Sequence, residues 1–526
     1  MASKVCAAID VGSFEIAMKI YEIGSRKGIR ELDHVRVGVD LGSESYATGR
    51  LGAKRVAEII RILREFDREM KTWGVSVVRA CGTSALRESE NVDMILERIE
   101  KSTGIRIELL SNSEQRFLDY KAAALKSDQF DKMIGKPSAI VDIGGGSIQI
   151  SLFDDERLVT TQNLKLGVLR IHEMLQTLGA GTARYDALVA ELVGAQLSVF
   201  SRMYLADRKI GNVILVDDYV SPLMQNPRIL SDSGLLGDGG TIPDKGHVTA
   251  DGFINFIDHV QDESKGKNAE KLGVPYENLP LVYISGLIIK CIAKEMGAED
   301  LWAPGVTLCD GIAWEYAEKK GVLGKHHDFE KDIIASAYNI STRFRGNKKR
   351  SELIGELAVR IFDAMKPVHG LGDRERLLLR IAAVLHDCGK YISMINLGET
   401  SYSIIMGSEI IGLSHRERQT VAAAVRYIYT EVPPPDSRDR VVEQFDDSMR
   451  RTLIKLTAML RVATGLDRSH LKKFKKAVFT LEGDELQITA NTIEDTTLES
   501  GLFEDRAVFF EEVFGVRPVI RRKNAK

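Results

Sequence analysis

Two short segments of the sequence combine an aspartate, glycines and a serine, and both could bind phosphate. Asp10–Ser13 reads Asp-Val-Gly-Ser, and Asp142–Ser147 reads Asp-Ile-Gly-Gly-Gly-Ser. Glycines let backbone N–H groups approach phosphate oxygens closely, and serine hydroxyls add donors. An aspartate at the end of a strand can hold Mg²⁺, usually through water. The candidate phosphate-binding residues are Gly12, Ser13, Gly144, Gly145, Gly146 and Ser147, and the candidate metal ligands are Asp10 and Asp142.

Each of these segments also has a purely structural interpretation, in which the aspartate satisfies the N–H groups of its own tight turn. A single segment would favour that interpretation. Both segments follow an apolar run and precede an alternating run, and this repetition favours a phosphate clamp. Neither is a Walker A loop, because no Gly-Lys-Ser/Thr follows and the next element is predicted to be a strand.

Two further residues, Arg87 and Glu114, have side chains suited to phosphate chemistry. Arg87 lies where a strand is predicted to give way to a helix, and helix-start N–H groups with a guanidinium suit a phosphoryl group. An arginine so close to Glu88 is, by default, a solvated residue. Glu114 could orient or deprotonate a water that attacks phosphorus. Ser111 and Glu114 also form a capping-box pattern, and spacing alone favours the cap.

The second half of the chain contains one pair, His386-Asp387, that could form the centre of a metal site. Other His and Asp residues would have to complete the ligand set. The nearby histidines show no suitable spacing, so a satisfied buried pair in the middle of a helix is the favoured interpretation. The basic segments Arg343–Arg350 and Lys472–Lys476 are predicted to be solvated, with a polyanion track as the alternative.

The pattern of apolar residues predicts the elements that position these groups. Lys4–Ile9 and Ser138–Val141 are predicted strands that run into the two aspartates. The alternating stretches Ile16–Ile20 and Ile148–Leu152 then complete two hairpins. The same plan therefore occurs twice, as an internal repeat. Ala53–Trp73 has the apolar spacing of a helix.

The remaining segments are predicted more coarsely. Ala183–Ala206 reads as a helix, and Val213–Val216 and Leu281–Ile284 read as short strands. Leu230–Lys267 is rich in Gly and Asp and is predicted to be a loop or an insertion. A helical region starts near residue 325, and the chain from Ala477 onward is predicted to form a small α/β domain.

Length and composition restrict the class of protein. A chain of 526 residues with 44% apolar and 28% charged residues is typical of a globular protein of three or four domains. The net charge of -3 gives no global attraction to nucleic acid or to an anionic membrane. The five cysteines form no CxxC pair, which argues against a disulfide framework or a thiolate zinc site. With no signal peptide and no spanning apolar run, we expect a soluble, cytoplasmic protein with no membrane or sequence-specific nucleic-acid partner.

The motifs resemble a known family in their order and spacing. The family is that of the Ppx/GppA phosphatases, and the segments of this chain that resemble its motifs are Asp10–Ser13, Thr83–Arg87, Ser111–Arg116, Asp142–Ser147 and Leu166–Arg170. Leu385–Gly389 and Leu460–His470 resemble the C-terminal part of the long exopolyphosphatases, so the resemblance covers essentially the whole chain. It implies an α/β fold with a duplicated actin-like (ribonuclease H-like) core, a helical HD-like domain and a small C-terminal α/β cap. The implied domains are 1–127, 128–322, 323–470 and 471–526.

The resemblance also implies an activity. It is hydrolysis of a terminal phosphoanhydride in inorganic polyphosphate or in guanosine pentaphosphate, with Mg²⁺ as the cofactor. By position, Glu114 would be the water-activating carboxylate, Asp142 and Asp10 would hold the metal, and Arg87 would bind phosphate with the two glycine turns. Glu114 would then serve as base and cap together. The helical C-terminal region would guide a polyanion or mediate formation of a homodimer.

Several positions depart from the family pattern. Phe14 and Glu15 follow the first turn, where the family usually has polar residues. Gln149 stands where the family usually has a glutamate, and it can orient water but cannot act as a base or an anionic metal ligand. Asp217 and Asp218 lie where the family has a glycine-rich loop. The HD-like domain keeps only one His-Asp pair, so we expect no working metal centre there.

These departures leave alternatives to a phosphoanhydride hydrolase. The main one is a catalytically weak or inactive regulator that binds polyphosphate or an alarmone through the same clamp. A sugar kinase or ATPase of the actin-like superfamily is disfavoured by the two acids where an adenosine loop would want glycines. A metal-dependent nucleotidase centred on His386-Asp387 lacks the other ligands.

Overall fold

The computed structural model of the chain describes residues 3–522, apart from 26–27, 180, 182–183, 206–207, 227, 230–245, 263–271, 324–326, 435–436 and 438. Contacts between residues divide the chain into two compact units, Met1–Asp328 and Phe329–Lys526, here called unit 1 and unit 2. Within the described ranges, no helix has the length and apolar character needed to cross a membrane.

The first sheet of unit 1 contains five strands in the order β3-β2-β1-β4-β5. They are β1 (Lys4–Val11), β2 (Glu15–Gly24), β3 (Gly28–Gly38), β4 (Val77–Gly82) and β5 (Ile107–Leu109). β1 pairs antiparallel with β2 and parallel with β4. Most of β2 is buried on both faces, because apolar clusters cover the sheet on both sides. Asp10 therefore lies near the carboxyl end of a central strand.

The second sheet of unit 1 has six strands in the order β10-β11-β9-β6-β7-β8. They are β6 (Ser138–Ile143), β7 (Ile148–Asp154), β8 (Arg157–Leu164), β9 (Asn212–Asp217), β10 (His247–Thr249) and β11 (Asp300–Trp302). β6 pairs antiparallel with β7 and parallel with β9, as β1 does with β2 and β4. The predicted repeat is confirmed, and Asp142 occupies in the second sheet the place that Asp10 has in the first.

The helices of unit 1 follow the apolar periodicity of the sequence. The predicted helix 53–73 is observed as Ala53–Thr72, and 183–206 as Tyr185–Phe200 followed by a π-helical turn, Ser201–Leu205. The other described helices are Leu41–Thr48, Ser84–Arg87, Val92–Thr103, Asn112–Ala124, Ser127–Ile134, Val168–Thr177, Ser221–Met224, Ala250–Asp262, Leu279–Met296 and Leu308–Lys319.

Two predictions for unit 1 are wrong. Leu281–Ile284 is not a strand but part of the helix Leu279–Met296, which ends at Gly297 with φ 65°. A short apolar run fits a strand and a buried helix equally well, and here the run continues for several turns. The predicted loop Leu230–Lys267 contains a strand and the helix Ala250–Asp262, while 230–245 and 263–267 lie outside the described residues.

Unit 2 is helical at first and ends in a small sheet. Its described helices are Phe329–Arg343, Lys348–Ala364, Lys366–His369, Asp373–Leu385, Leu397–Met406, His415–Arg426, Asp447–Gly465, Thr497–Gly501 and Glu504–Phe514. The sheet has the order β12-β13-β14, with β12 (Val478–Glu482), β13 (Glu485–Ala490) and β14 (Arg517–Arg522). From Ala477 onward the chain forms these three strands and the last two of these helices, as an α/β segment requires. The HD-like assignment and the four domain boundaries stay predictions.

The position of the His386-Asp387 pair differs from the prediction. The helix Asp373–Leu385 ends just before the pair, and a short 3₁₀ turn, Cys388–Tyr391, follows it. The mid-helix placement is therefore wrong. Gly389 lies against the next helix. A Cβ on it would be 2.5 Å from the backbone nitrogen of Ser401, so this close approach leaves no room for a side chain.

Candidate active site

The two glycine turns of unit 1 lie against each other. A Cβ placed on Gly145 would be 3.1 Å from the Cβ of Ser13. The Ser13 hydroxyl is 2.7 Å from the hydroxyl of Tyr46 and 2.8 Å from that of Ser84. A Cβ placed on Gly146 would be 2.5 Å from the Tyr46 hydroxyl oxygen. The turns converge as predicted, and three hydroxyl groups from the first half meet the second turn.

Both turns have the same backbone geometry. The N–H of Gly12 donates to the carbonyl of Glu15 at 3.0 Å, and the N–H of Gly144 donates to the carbonyl of Ser147 at 3.0 Å. The segment Leu166–Arg170 holds the second turn in shape. The N–H of Val168 donates to the carbonyl of Gly144, and the N–H of Leu169 donates to the carbonyl of Gly145, each at 3.0 Å.

Arg116 binds both ends of the second glycine turn. Its guanidinium donates to Oδ2 of Asp142 through Nη1 and to Oγ of Ser147 through Nη2, the latter at 2.8 Å. The arginine is only 4% exposed and the aspartate 8%. The sequence analysis did not single out this arginine, because buried arginines are rare and its partners are 26 and 31 residues away.

The helix Asn112–Ala124 begins beside this ion pair. Ser111 and Glu114 form the predicted capping box, with Ser111 N–H donating to Oε2 of Glu114 at 2.9 Å and Glu114 N–H donating to Oγ of Ser111 at 3.2 Å. The side chain of Arg87 donates to the carbonyl of Leu110 and to Oδ1 of Asn112. Arg87 and Glu114 thus lie at the same helix N-terminus, whose N–H groups favour an anion.

Gln149 lies directly across the hairpin from Asp142. Its side-chain amide donates to Oγ1 of Thr161 at 2.7 Å, and the hydroxyl of Ser151 is also 2.7 Å from that oxygen. The glutamine is 3% exposed. Its amide nitrogen is therefore committed to a buried polar network beside the second turn.

Acidic side chains accumulate around the ends of the two central strands. Burial, with the negative charges of Glu15 and Asp142, raises the pKa of Asp10 from its ordinary value near 3.8 to about 7. Burial, together with the charge of Asp142, raises the pKa of Asp119 well above its usual range. Burial and the charges of Glu15 and Asp10 do the same to the pKa of Asp218. These carboxyl groups therefore keep their protons to a higher pH than an exposed aspartate does.

The two aspartates differ in how well they would hold a magnesium ion. Oδ1 of Asp10 is shielded from solvent and has no hydrogen-bond partner among the described residues. Asp142 is paired with Arg116. Within the described ranges, no three side chains of His, Cys, Asp or Glu are placed so that they could hold one metal ion. The residues fit a cation held from one side by Asp10 and otherwise by water and phosphate oxygens, which is the usual manner of Mg²⁺.

Tyr46 and Arg170 cover the second turn, and neither was a candidate site residue in the sequence analysis. The guanidinium of Arg170 stacks 4.5 Å from the centre of the Tyr46 ring. It donates to the carbonyl of Gly146 at 3.2 Å and to Oε2 of Glu88 at 2.8 Å. These contacts hold the Tyr46 hydroxyl over the glycine turn.

Asp217 and Asp218, which lie where the family has a glycine-rich loop, have different surroundings. Oδ1 of Asp217 accepts the N–H groups of Tyr219 at 2.9 Å and Ser221 at 3.1 Å, and its Oδ2 accepts the hydroxyl of Ser285 at 2.7 Å. Burial nevertheless raises the pKa of Asp217 to about 6. Asp217 therefore stabilises its own turn, while the neighbouring Asp218 faces the anionic side chains around Asp10.

The raised pKa of Asp10 predicts a pH dependence of stability. Because the folded pKa lies above the unfolded one, the native state binds the proton more tightly, and this stabilisation is lost as pH rises from about 4 to about 7. Without Mg²⁺, the free energy of unfolding should fall over this interval by up to roughly 4 kcal/mol. Asp10→Asn should flatten the dependence in urea denaturation. Parallel pH profiles for the two proteins would contradict the assignment.

Comparison with known proteins gives the family. The model of the Ppx/GppA phosphatase family matches residues 19–318, and that of Ppx/GppA phosphatase, domain III, matches residues 334–505. A guanosine-5'-triphosphate,3'-diphosphate pyrophosphatase of Photobacterium profundum is 22% identical over 441 residues, which are 81% of this chain and 80% of that protein. Exopolyphosphatase 1 of Mycobacterium tuberculosis is 22% identical over 356 residues, 65% of this chain and 94% of that one.

Solved structures agree on the fold. An exopolyphosphatase of Cytophaga hutchinsonii has a TM-score of 0.50 and 15% identity, covering 60% of this chain and 98% of that chain. An exopolyphosphatase-like protein has a TM-score of 0.51 and 19% identity, covering 61% and 99%. These likenesses support the predicted actin-like α/β core. With a family model matched over more than half of its length, the chain belongs to the Ppx/GppA phosphatase family.

Proposed function

We propose that this protein hydrolyses terminal phosphoanhydride bonds, with inorganic polyphosphate or guanosine pentaphosphate as its substrate. The observation that carries the proposal is the convergence of the two glycine turns beside the N-terminus of the helix Asn112–Ala124. Relatives named exopolyphosphatase and guanosine-5'-triphosphate,3'-diphosphate pyrophosphatase support the same class of reaction. A cytoplasmic location and a homodimer remain expectations.

The roles of the residues follow from their surroundings. The N–H groups of the turns and the hydroxyls of Ser13 and Ser147 would bind the phosphate chain, with Arg87 at the helix N-terminus. Glu114, at the same N-terminus, would accept a proton from the water that attacks the terminal phosphorus. Arg116 would hold Asp142 and Ser147 in place. Glu114 is partly exposed, so water can reach its carboxylate.

Mg²⁺ would be held by Asp10, with Asp142 close enough to contribute its charge. When bound, Mg²⁺ would neutralise phosphate oxygens and so favour attack by water. Gln149 would hold its side-chain oxygen, rather than its committed nitrogen, toward water. The charge of Mg²⁺ would also offset that of the carboxylates around Asp10 when a polyanion binds.

A screen for phosphate release tests the proposal. The purified chain is incubated with polyphosphate, guanosine pentaphosphate or ATP, with Mg²⁺ or with EDTA. We expect Mg²⁺-dependent release from polyphosphate or guanosine pentaphosphate at least tenfold faster than from ATP. Formation of ADP from ATP only when a sugar is added would instead indicate a kinase. Absence of release from all three compounds would contradict the hydrolase.

A regulator that binds the same ligand without cleaving it is the second candidate. It is favoured by the pairing of Asp142 with Arg116, which leaves that carboxylate less able to hold a catalytic cation. Calorimetric binding of polyphosphate or guanosine pentaphosphate without phosphate release would identify this function. Binding with release would identify the enzyme.

A further inference from the structure

Unit 2 contains a buried polar centre that the proposed reaction does not use. It consists of Arg350, His386, Asp387 and Asp467, from three separate segments of the chain. Their exposures are 9%, 0%, 5% and 1%. Nε of Arg350 donates to Oδ2 of Asp467 at 3.1 Å, and its Nη1 is 3.5 Å from Oδ2 of Asp387. One guanidinium therefore bridges two buried carboxylates.

The histidine of this centre presents a nitrogen lone pair to the carboxylates. Nδ1 of His386 is 2.8 Å from the carbonyl oxygen of Ala383, so Nδ1 carries the hydrogen and Nε2 the lone pair. Nε2 is 3.9 Å from Oδ2 of Asp387. Among the described residues, neither Nε2 of His386 nor Oδ1 of Asp387 has a hydrogen-bond partner.

This set of acceptors has the chemistry of a metal site. A neutral imidazole with its other nitrogen bonded to a backbone carbonyl, together with two carboxylates, is a common ligand set for divalent transition metals. Two buried carboxylates require a cation in any case, because an uncompensated buried charge is strongly destabilising. Here the required charge comes from the protein, since a guanidinium stays protonated and can bind two carboxylates at once.

We propose that Arg350 is a built-in cation that occupies the position of a metal ion, and that removing its side chain exposes a divalent-metal site formed by His386, Asp387 and Asp467. Lys390, whose Nζ is 3.4 Å from Oδ2 of Asp387, adds a second positive charge at the edge of the centre. The described residues contain no group of three ligands already arranged around a metal, so the three side chains would have to move together once the arginine is removed.

The test compares the full-length protein with Arg350→Ala by titration with Co²⁺. The absorption of Co²⁺ bound to nitrogen and oxygen ligands reports binding independently of phosphate release. We expect Arg350→Ala to bind one more equivalent of Co²⁺ than the natural chain. Its thermal unfolding temperature should rise by roughly 5–10 °C when Co²⁺ is about 100-fold above the dissociation constant, with little change in the natural chain.

Three control variants locate the binding. Arg350→Ala combined with His386→Ala should lose the additional equivalent. Arg350→Lys keeps the charge and should not gain it. Arg376→Ala removes an arginine whose partner, Asp363, is half exposed, and should also gain none. Binding at Asp10 is common to all the variants and cancels in the comparison.

Several results would overturn the proposal. One is a folded Arg350→Ala protein that binds no more Co²⁺ than the natural chain. Another is a natural chain that already binds one equivalent that His386→Ala removes. If Arg350→Ala is unfolded in the absence of metal, addition of Co²⁺ during refolding should restore its circular dichroism. Failure of that rescue in both Arg350→Ala and Arg350→Ser would also refute the built-in cation.

Discussion

Replacing Glu114 with glutamine should abolish measurable phosphate release, a loss of roughly 10²–10⁴-fold that is typical of removing a general base. The fold should survive, because glutamine can take the place of glutamate in the capping box with Ser111. The measurement is the rate of phosphate release from the substrate found in the screen, together with the thermal unfolding temperature of the variant. An active Glu114→Gln protein would refute Glu114 as the base.

A second variant separates the role of Glu114 as the base from its role in the capping box. Ser111→Ala removes the hydroxyl that accepts the N–H of Glu114 but keeps the carboxylate. It should lower the free energy of unfolding by about 1 kcal/mol, the usual cost of losing an N-cap, and retain most of the activity. If Ser111→Ala lost as much activity as Glu114→Gln, the carboxylate would matter only through the cap.

Replacing Arg116 with alanine should destabilise unit 1 by about 3–5 kcal/mol, because it leaves Asp142 buried without its cation. It also removes the donor to Ser147. The effect is measured as the free energy of unfolding in urea at neutral pH. Removal of a surface partner provides the comparison. Arg61→Ala, which breaks an exposed pair with Glu65, should cost less than about 1 kcal/mol.

The double variant Arg116→Met with Asp142→Asn tests whether the ion pair is responsible. With both charges gone, most of the lost stability should return, since neither partner is left buried and unpaired. A loss in the double variant equal to the sum of the losses in Arg116→Met alone and Asp142→Asn alone would show that the two residues act independently. Added Mg²⁺ should stabilise Arg116→Ala more than the natural chain if the arginine and the metal compete for Asp142.

The predictable parts of the fold are those in which a local sequence pattern is compatible with only one type of structure. The apolar run ending at Asp10 and its counterpart at Asp142 could be identified because a strand, a glycine turn and an alternating strand leave few other structures. Leu281–Ile284 failed because burial on all sides removes the periodicity that separates a helix from a strand. The end of the helix before His386 was missed for lack of a local stop signal there.

The candidate site was predictable only in its parts that are local in sequence. The capping box of Ser111 and Glu114 spans four consecutive residues, and the structure contains it as predicted. The role of Arg116 depends on partners in another strand, and that of Tyr46 depends on a turn a hundred residues away. Charge compensation between distant segments, which also determines the surroundings of Arg350, has no signature in a single sequence.

The contact between Tyr46 and Gly146 restricts which residue the second turn accepts. The phenol oxygen would be 2.5 Å from a Cβ on Gly146, so even an alanine at this position would displace the ring. That displacement would break the contacts of the Tyr46 hydroxyl with the hydroxyls of Ser13 and Ser84. The missing side chain at residue 146 is therefore what allows the two halves of unit 1 to meet through these hydroxyl groups.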